Sequence, residues 1–331
     1  RSTPKPSSAA SDVYKRQAFV FASKSNTSRL DALAETLKRQ TIEIYRNKEE
    51  LKLPKSTTST GDQVTRQNIP AGSLIVPLNQ PLNLLINNIL SFDIRLDTKS
   101  MEKERQKLMK GQGSTLYDVT AWSLSHAYGT ESYYTEAMPK IPMEPYKSSK
   151  KEGKLIGKNP KYGWAIKSND DQFYHILARL LENGIKVWCA EEMFNVENEF
   201  FPRGSIIIRN NANQGLNKGL LKKLAFDYEL DIFAVNTALV SSGPDLGSSD
   251  FTMLINPRIA IATGQPISTY SFGTTWHLLD SRMNSRTSLI NVMGLGWQDL
   301  SKYNVLILPS GNNLKRILDD SGISKLKDWI K

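Results

Sequence analysis

The chain has 331 residues, a formal net charge of +10 and 39% apolar residues, which is enough sequence for two compact domains. The apolar fraction is too high for a wholly disordered polymer, and no stretch approaches the ~18 uninterrupted apolar residues of a membrane-spanning helix. We therefore expect a globular chain with no membrane span. The single cysteine, Cys189, cannot form an internal disulfide, and three histidines provide little material for a structural zinc site.

The first 17 residues differ in character from the rest of the chain. They are rich in Ser, Pro and basic residues, lack apolar periodicity and directly precede an apolar run that begins at Ala18. Residues 12–17, Asp-Val-Tyr-Lys-Arg-Gln, resemble the translation of a transposase end sequence used to prepare sequencing libraries. We therefore expect residues 1–17 to be a non-native or disordered leader, without which the net charge is +7.

Residues 18–91 are predicted to form a first α/β repeat. Residues 19–21 predict a strand, apolar residues at 30, 33, 34 and 37 have helical spacing, and residues 42–45 alternate like a second strand. A Pro-x-Gly-Ser turn at 70–73 then leads into another buried strand, and residues 82–90 are predicted to be helical.

The same order of elements returns in residues 163–256, the predicted second α/β repeat. Strands are expected at 163–166 and 185–188, with a helical stripe between them and a second Pro-x-Gly-Ser turn at 202–205. Leu37 lies 143 residues before Leu180, whereas Pro70 lies 132 residues before Pro202, so the first copy carries an insertion. We interpret the pattern as an internal duplication, with coincidence between two weakly similar segments as the alternative.

Residues 92–162 are predicted to be a linker or excursion between the two copies. They contain two basic stretches, at 99–110 and 147–158. Glu102, Glu104 and Glu152 interrupt these stretches, and no aromatic residues alternate with the basic ones as on a nucleic-acid platform. The pattern favours a solvated surface and no nucleic-acid partner.

A third block is predicted for residues 257–331. Strands are expected at 258–262, 288–292 and 304–309, and helices at 272–283 and 325–330. Alternating strands and helices are typical of parallel sheets with helices on both faces. Since such a domain needs further strands to close its sheet, we expect the C-terminus to be truncated. The predicted fold class is thus α/β, with duplicated strand-helix units in parallel or mixed sheets followed by a truncated doubly wound domain.

The residues that most often perform catalysis are sparse. The sequence has no phosphate-binding glycine loop and no Gly-x-Ser-x-Gly nucleophile elbow. Cys189 follows a predicted strand, which favours a packed thiol over a nucleophile. His126, His175 and His277 are interpreted as ordinary helix-face or surface imidazoles, although His277 and Asp280 have the spacing to share a helix face and would need a further ligand to hold a metal.

A loop at 241–250 is dense in small polar residues, including Asp245, Ser248 and Ser249. Such a loop can place backbone N–H groups around an anion or receive a peptide carboxylate. An ordered interdomain crossing is the alternative that its composition favours. Asp118 and Trp122, in the segment 116–124, are the other two candidates for a ligand or interdomain contact.

Several segments together resemble one protein family. Residues 116–124, Leu-Tyr-Asp-Val-Thr-Ala-Trp-Ser-Leu, are similar to a stretch downstream of the catalytic domain in large bacterial zinc carboxypeptidases related to carboxypeptidase A. The turn segment 69–81, the loop 243–248, and residues 257–260 and 303–309 also resemble that accessory region. The resemblance covers residues 18–331, and its last block resembles a class I glutamine amidotransferase-like fold.

The resemblance does not bring the family's catalytic residues with it. The family binds zinc through His-x-x-Glu and a distant His, but the three histidines here are followed three positions later by Gly129, Ala178 and Asp280. No catalytic or metal-binding residue is therefore assigned, and no cofactor is expected in this portion. Amidotransferase activity would need a cysteine elbow that the chain does not contain.

The resemblance implies the non-catalytic C-terminal portion of a zinc metallocarboxypeptidase-like peptidase. Zinc and the peptide substrate would belong to the parent enzyme, and the partner in cis would be a catalytic domain preceding Ala18. Periplasmic or extracellular localisation is expected from the resemblance alone. The alternative is a self-sufficient, non-catalytic ligand-binding α/β module that uses a cleft at the carboxyl ends of parallel strands.

Overall fold

A computed structural model describes residues 17–92, 98–113, 123–138, 141–148, 152–314, 318 and 320–331. The chain divides into two compact units, Arg1–Ser149 and Lys150–Lys331. Both are mixed α/β structures, as the sequence predicted at that level of detail. Asp118 and Trp122 lie outside the described residues. Within the described ranges, every helix falls short of the length and apolar content that a membrane crossing requires.

The first unit is built on a seven-stranded sheet in which every neighbouring pair is antiparallel. The unit has nine strands in its described residues, of which seven form this sheet: β1 (Ala18–Phe21), β2 (Tyr45–Asn47), β3 (Leu51–Leu53), β4 (Ser56–Thr58), β5 (Gln63–Val64), β6 (Gln67–Ile69), β7 (Leu74–Pro77), β8 (Ser132–Thr135) and β9 (Met143–Pro145). The sheet order is β5-β4-β8-β1-β7-β2-β9, and β3 pairs with β6 separately. The helices are α1 (Thr27–Arg39), α2 (Asn83–Leu90), α3 (Thr98–Met109) and α4 (Leu124–Ala127).

The central strand β1 is buried on both faces. Phe19 and Phe21 pack into a cluster with the apolar side of α1, whereas Ala18 and Val20 pack on the opposite face with β3 and β6. Helix α1 begins after Asn26, whose side chain accepts a hydrogen bond from the Arg29 amide and so satisfies a free N–H of the first turn. The buried face of α1 has the period of a helix and consists of Leu30, Leu33, Ala34 and Leu37.

The second unit contains a six-stranded mixed sheet. Eight strands lie between residues 155 and 253 of this unit, and six of them form the sheet: β10 (Leu155–Ile156), β11 (Gly163–Ile166), β12 (Trp188–Ala190), β13 (Phe194–Val196), β14 (Glu199–Phe201), β15 (Ile206–Arg209), β16 (Ile232–Val235) and β17 (Phe251–Met253). The order is β10-β16-β11-β15-β12-β17, with β13 and β14 as a separate hairpin. Only the β10–β16 pair of this sheet is parallel. The α-helices that accompany this sheet are α5 (Gln172–Glu182) and α6 (Lys218–Asp227).

The two sheets share one strand arrangement. The order β8-β1-β7-β2-β9 of the first unit matches β16-β11-β15-β12-β17 of the second. In each unit, alternate residues of the central strand pack against the helices on one face and against a short strand pair, β3–β6 or β13–β14, on the other. The two strand pairs differ in the length of the connection between their strands: β13 and β14 are joined by two turn residues, Glu197 and Asn198, whereas residues 54–66, which contain β4 and β5, join β3 to β6. Hairpin loops tolerate such differences in length because they lie at the surface.

The Pro-x-Gly-Ser turns make equivalent hydrogen bonds in both units. The buried Ser73 hydroxyl donates to the Pro70 carbonyl at 2.8 Å and accepts from the Ser23 amide at 2.8 Å. The buried Ser205 hydroxyl donates to the Pro202 carbonyl at 2.6 Å and accepts from the amide of Ser168 at 3.4 Å. The serine of each turn therefore connects it to the chain leaving the central strand.

Replacing Ser73 or Ser205 by alanine is expected to lower the free energy of unfolding by about 1–3 kcal/mol, because each change removes the partner of a backbone amide. The loss should be at least as large at Ser73 as at Ser205, since the amide hydrogen bond is 2.8 Å long in the first turn and 3.4 Å in the second. Urea unfolding of the full chain measures both, and the exposed Ser249→Ala serves as the control with an expected change within about 0.5 kcal/mol. A loss at Ser73 or Ser205 no larger than that of the control would contradict this account of the turns.

The third block forms a three-stranded parallel sheet within the second unit. Its strands are β18 (Ile259–Thr263), β19 (Thr287–Asn291) and β20 (Val305–Ile307), in the order β19-β18-β20. Helix α7 (Thr269–His277) runs into a π-helical turn, Leu278–Arg282, and α8 (Asp320–Ile330) comes last. Ala260 and Ala262 share one face of β18 and pack in two separate apolar clusters. Ile259 and Ile261, which alternate with them and point to the other face, are also buried, so the middle strand is covered on both faces.

The prediction of parallel or mixed sheets for the two duplicated units is wrong for the first unit, whose seven-stranded sheet is antiparallel, and is confirmed for the second, whose six-stranded sheet is mixed. In both units the two strands that flank the first helix are not neighbours, because a later strand lies between them and runs antiparallel to each. The second strands also begin later than predicted, at Tyr45 and Trp188. Residues 92–162, predicted as a linker or excursion, contribute β8 and β9 to the first sheet and β10 to the second.

Candidate functional site

The polar loop at 241–250 joins β16 to β17 within one sheet. It is attached to β13 through Asn195, whose amide donates to the Ser242 carbonyl at 2.9 Å and whose carbonyl accepts from the Ser241 amide at 2.9 Å. The Asn195 side-chain amide also donates to the Ser242 hydroxyl at 2.6 Å. The loop is thus an ordered connection, although both of its ends lie in the same sheet and not in different domains.

The candidate residues of this loop contribute to its own hydrogen bonding. The Asp245 carboxylate accepts from the Val240 amide at 3.0 Å, and the Ser248 hydroxyl donates to the Asp250 carboxylate at 2.9 Å. Leu246 is fully buried, and its carbonyl accepts from the Tyr162 hydroxyl and the Arg209 guanidinium at 2.8 and 2.6 Å. Ser249 is exposed. These contacts hold the loop in shape.

The three histidines lie in different environments. His126 Nε2 is 2.8 Å from the Ser59 carbonyl oxygen, and its ring lies 6.1 Å from that of Phe92. His277 ends α7, and both it and Asp280 are exposed with no ion pair between them. Among the residues that the structure describes, no group of three or more His, Cys, Asp or Glu side chains is arranged to hold a metal ion.

His175, on α5, stacks on Tyr228 with ring centroids 5.8 Å apart. Burial lowers the pKa of His175 below its ordinary value; Asp171 opposes this shift, and Arg179 adds to it. The folded protein therefore favours the neutral ring.

Because the pKa is lower in the folded state, the stabilisation from His175 is complete above the unfolded value of about 6.5 and is lost as the pH falls toward the folded value. We expect NMR titration to place the pKa of His175 below 6.5. The stability difference between the wild type and His175→Phe should also shift in favour of the variant between pH 7.5 and pH 5. A ring that titrates at or above 6.5 would contradict this environment.

Cys189 is a strand residue of β12, paired with Ile206 and Thr252 on the neighbouring strands. Burial raises the pKa of its thiol, and Glu191 raises it further, while Arg203 acts in the opposite direction. A raised pKa disfavours the nucleophilic thiolate. This environment agrees with the packed-thiol interpretation of the sequence.

A cleft of about 400 Å³ lies in the second unit, at the amino ends of the three parallel strands. The ligand-binding alternative placed its cleft at the opposite, carboxyl edge of such a sheet. The lining residues come from α5 and from the segments that lead into β18, β19 and β20: Ala178, Glu182, Asn256, Pro257, Arg258, Ile259, Ser285, Arg286, Thr287, Ser288, Lys302 and Tyr303.

One wall of the cleft is fixed by an ion pair on α5. Arg179 and Glu182 approach to 2.8 Å, and both side chains are about four-fifths buried. Arg179 also donates to the carbonyls of Met283 and Asn284, and Glu182 accepts from the Arg286 amide at 3.3 Å. The ion pair therefore holds the backbone that carries Arg286.

The opposite wall is fixed by Arg258 and Asn304. The Arg258 Nε donates to the Lys302 carbonyl at 2.7 Å, and the Arg258 amide donates to the Asn304 side chain at 2.7 Å. Asn304 Nδ2 in turn donates to the carbonyl of Asn256 at 3.1 Å. These bonds connect the segments that enter β18 and β20.

The cleft carries an excess of positive charge. Arg258, Arg286 and Lys302 are exposed, and none forms an ion pair with a carboxylate in the described part of the chain. Glu182 is the acidic residue of the lining, and Arg179 pairs with it. Sequence reasoning missed this cluster, although one signal was present: each cation lies within three residues of the start of a strand in the same parallel sheet.

No family model, curated protein or solved structure matches this chain.

Proposed function

We propose that the chain is the non-catalytic C-terminal portion of a zinc metallocarboxypeptidase-like peptidase. In this proposal the parent hydrolyses peptides with zinc held by a catalytic domain that precedes Ala18. This portion packs against that domain and shapes access to it. The residues present do not fit the family's zinc site, since no His-x-x-Glu occurs in the sequence, so no step of the metal chemistry is assigned here. Periplasmic or extracellular localisation is part of the same proposal.

One observation carries the proposal: the described segments that bear the resemblance serve as scaffold. The 69–81 segment contains the turn held by Ser73, and the 243–248 segment contains Leu246, which attaches its loop to the core. Residues 257–260 and 303–309 contain parts of the neighbouring strands β18 and β20. Side chains that build turns and sheet contacts are what an accessory region requires.

We also propose the finer description of the fold, a duplicated α/β unit followed by an amidotransferase-like domain. The common strand order and the equivalent serine hydrogen bonds support the duplication. The order β19-β18-β20 supports the amidotransferase-like domain, because β18, the first of these strands along the chain, lies in the middle of the sheet, as in doubly wound folds of the 2-1-3 type.

The test compares the product of the intact reading frame with the 331-residue chain. Both are purified and assayed for bound zinc and for release of C-terminal residues from peptides. We expect zinc and activity in the longer product and neither in the shorter chain. A longer product that binds zinc stoichiometrically and releases C-terminal residues supports the proposal, whereas a longer product with neither property contradicts it.

A second candidate is a non-catalytic ligand-binding module, and the cleft beside α5 favours it. Its volume of about 400 Å³ lies within the usual range of small-molecule sites, and its walls are fixed by hydrogen bonds. The two candidates differ in what they require upstream of Ala18. The peptidase portion needs a zinc domain, whereas the module needs nothing beyond this chain.

A further inference from the structure

We propose that the cleft at the amino ends of β18, β19 and β20 binds a small organic molecule with at least two carboxylate or phosphate groups. The inference deepens the ligand-binding candidate and rests on it, and it does not depend on the peptidase proposal. It assigns binding to Arg258, Arg286 and Lys302, none of which was a candidate site residue in the sequence analysis.

The charge of the lining selects an anion. Three cations border the cleft, while the charge of Glu182 is compensated by Arg179 outside the lining. A guanidinium group presents paired donors that match the two oxygens of a carboxylate or phosphate, and a lysine ammonium adds a point charge. Three such groups around one cleft favour a ligand with more than one negative group.

The rest of the lining favours a small organic ligand. Ala178, Pro257, Ile259 and Tyr303 give the cleft an apolar portion, and Ser285, Thr287 and Ser288 supply hydroxyl groups and backbone N–H groups. Ligand sites of about 300–1,000 Å³ commonly combine apolar walls with a few polar groups that fix orientation. The cleft meets that description with a volume of about 400 Å³.

The walls that carry the cations are held before any ligand arrives. The Arg179–Glu182 pair fixes the backbone at Arg286, and the Arg258 side chain fixes that at Lys302. Binding then orders few backbone dihedral angles, so that less of the interaction energy is lost as conformational entropy. The Arg286 and Lys302 side chains are exposed, which leaves them available to a ligand.

Isothermal titration of the full 331-residue chain at low ionic strength tests the proposal, with citrate, pyrophosphate and inorganic phosphate as probes. We expect citrate or pyrophosphate to bind with 1:1 stoichiometry and more tightly than inorganic phosphate. Arg286→Gln and Lys302→Gln should each weaken binding about tenfold or more, the usual effect of losing a charged hydrogen bond. Preference for citrate or for pyrophosphate identifies the oxyanion. The control Lys327→Gln removes an exposed charge on α8, outside the lining, and should leave the affinity within about twofold.

The possible outcomes distinguish binding in this cleft from a ligand-binding function located elsewhere on the chain. Failure of citrate and pyrophosphate to bind overturns the inference. Binding that all three variants weaken equally reflects net charge and also overturns it. Binding that none of them weakens overturns the assignment to this cleft, while a ligand-binding function at another position survives. Matching thermal midpoints for wild type and variants establish that the substitutions leave the fold intact. The zinc and peptidase assays do not enter any of these readouts.

Discussion

Replacing Phe201 by alanine is expected to lower the free energy of unfolding of the second unit by about 3–5 kcal/mol. Phe201 is fully buried and stacks on Phe194 with ring centroids 4.9 Å apart. It also meets the edge of Phe233 at 5.6 Å, and the Lys167 ammonium lies 5.4 Å from its ring centroid. The truncation would leave a cavity beneath the β13–β14 hairpin, which covers one face of the central sheet.

The neighbouring Phe200 provides a matched control. It lies on the same strand but is 50% exposed, so Phe200→Ala should cost less than about 1 kcal/mol. Urea unfolding of both variants, followed by tryptophan fluorescence, measures the difference. Equal losses from the two substitutions would contradict the packing described for this hairpin.

Gly243→Ala is expected to destabilise the second unit by about 2–5 kcal/mol. Gly243 has a φ of +87°, in the left-handed region, which costs a residue with a Cβ about 1–2 kcal/mol. A Cβ atom there would lie 2.4 Å from the Met193 carbonyl oxygen and 2.8 Å from the Cα of Phe194. Relieving this overlap moves the backbone of the loop or of β13, which adds a cost of about 1–3 kcal/mol.

Gly247, four residues later in the same loop, is the control for this substitution. An added Cβ there meets no atom within 4 Å, so Gly247→Ala should change the stability by less than about 1 kcal/mol. Thermal or urea unfolding of the two variants makes the comparison. A Gly243→Ala variant as stable as Gly247→Ala would show that the loop does not approach β13 as closely as described.

Sequence patterns predicted the positions of helices and strands better than they predicted which strands lie next to each other in a sheet. The helical stripe of α1 and the strands of the third block appear close to their predicted positions, because local apolar periodicity determines both. The two Pro-x-Gly-Ser turns were recognisable because the geometry needs glycine at a positive φ, found at Gly72 and Gly204.

Whether paired strands run parallel or antiparallel depends on contacts between residues that are distant in the sequence. The sequence predicted β1, α1 and β2 in chain order without assigning the neighbours of either strand. In the structure β7 lies between β1 and β2, and its Ile75 pairs with a residue of each. Similarly, β8 and β9 join the first sheet from a region whose composition is typical of a linker. Local periodicity carries no information about which strand completes a pair.

The candidate site was harder to predict than the fold. The composition of the polar loop made it a candidate for a ligand or interdomain contact, yet the side chains of Asp245 and Ser248 form hydrogen bonds that stabilise the loop itself. The cations of the cleft come from three segments of the chain, and each of them resembles an ordinary surface residue when viewed alone. Only the parallel pairing of β18 with both neighbours brings Arg258, Arg286 and Lys302 to one edge.

The proposal that this chain is part of a zinc peptidase is tested most directly by sequencing the source DNA upstream of the codon for Ala18. The proposal predicts an open reading frame that continues upstream and encodes a His-x-x-Glu motif followed by a distant histidine, as the zinc site of the family requires. A native start codon near Ala18, with no such motif in frame before it, would contradict the proposal and leave the ligand-binding module as the function to pursue.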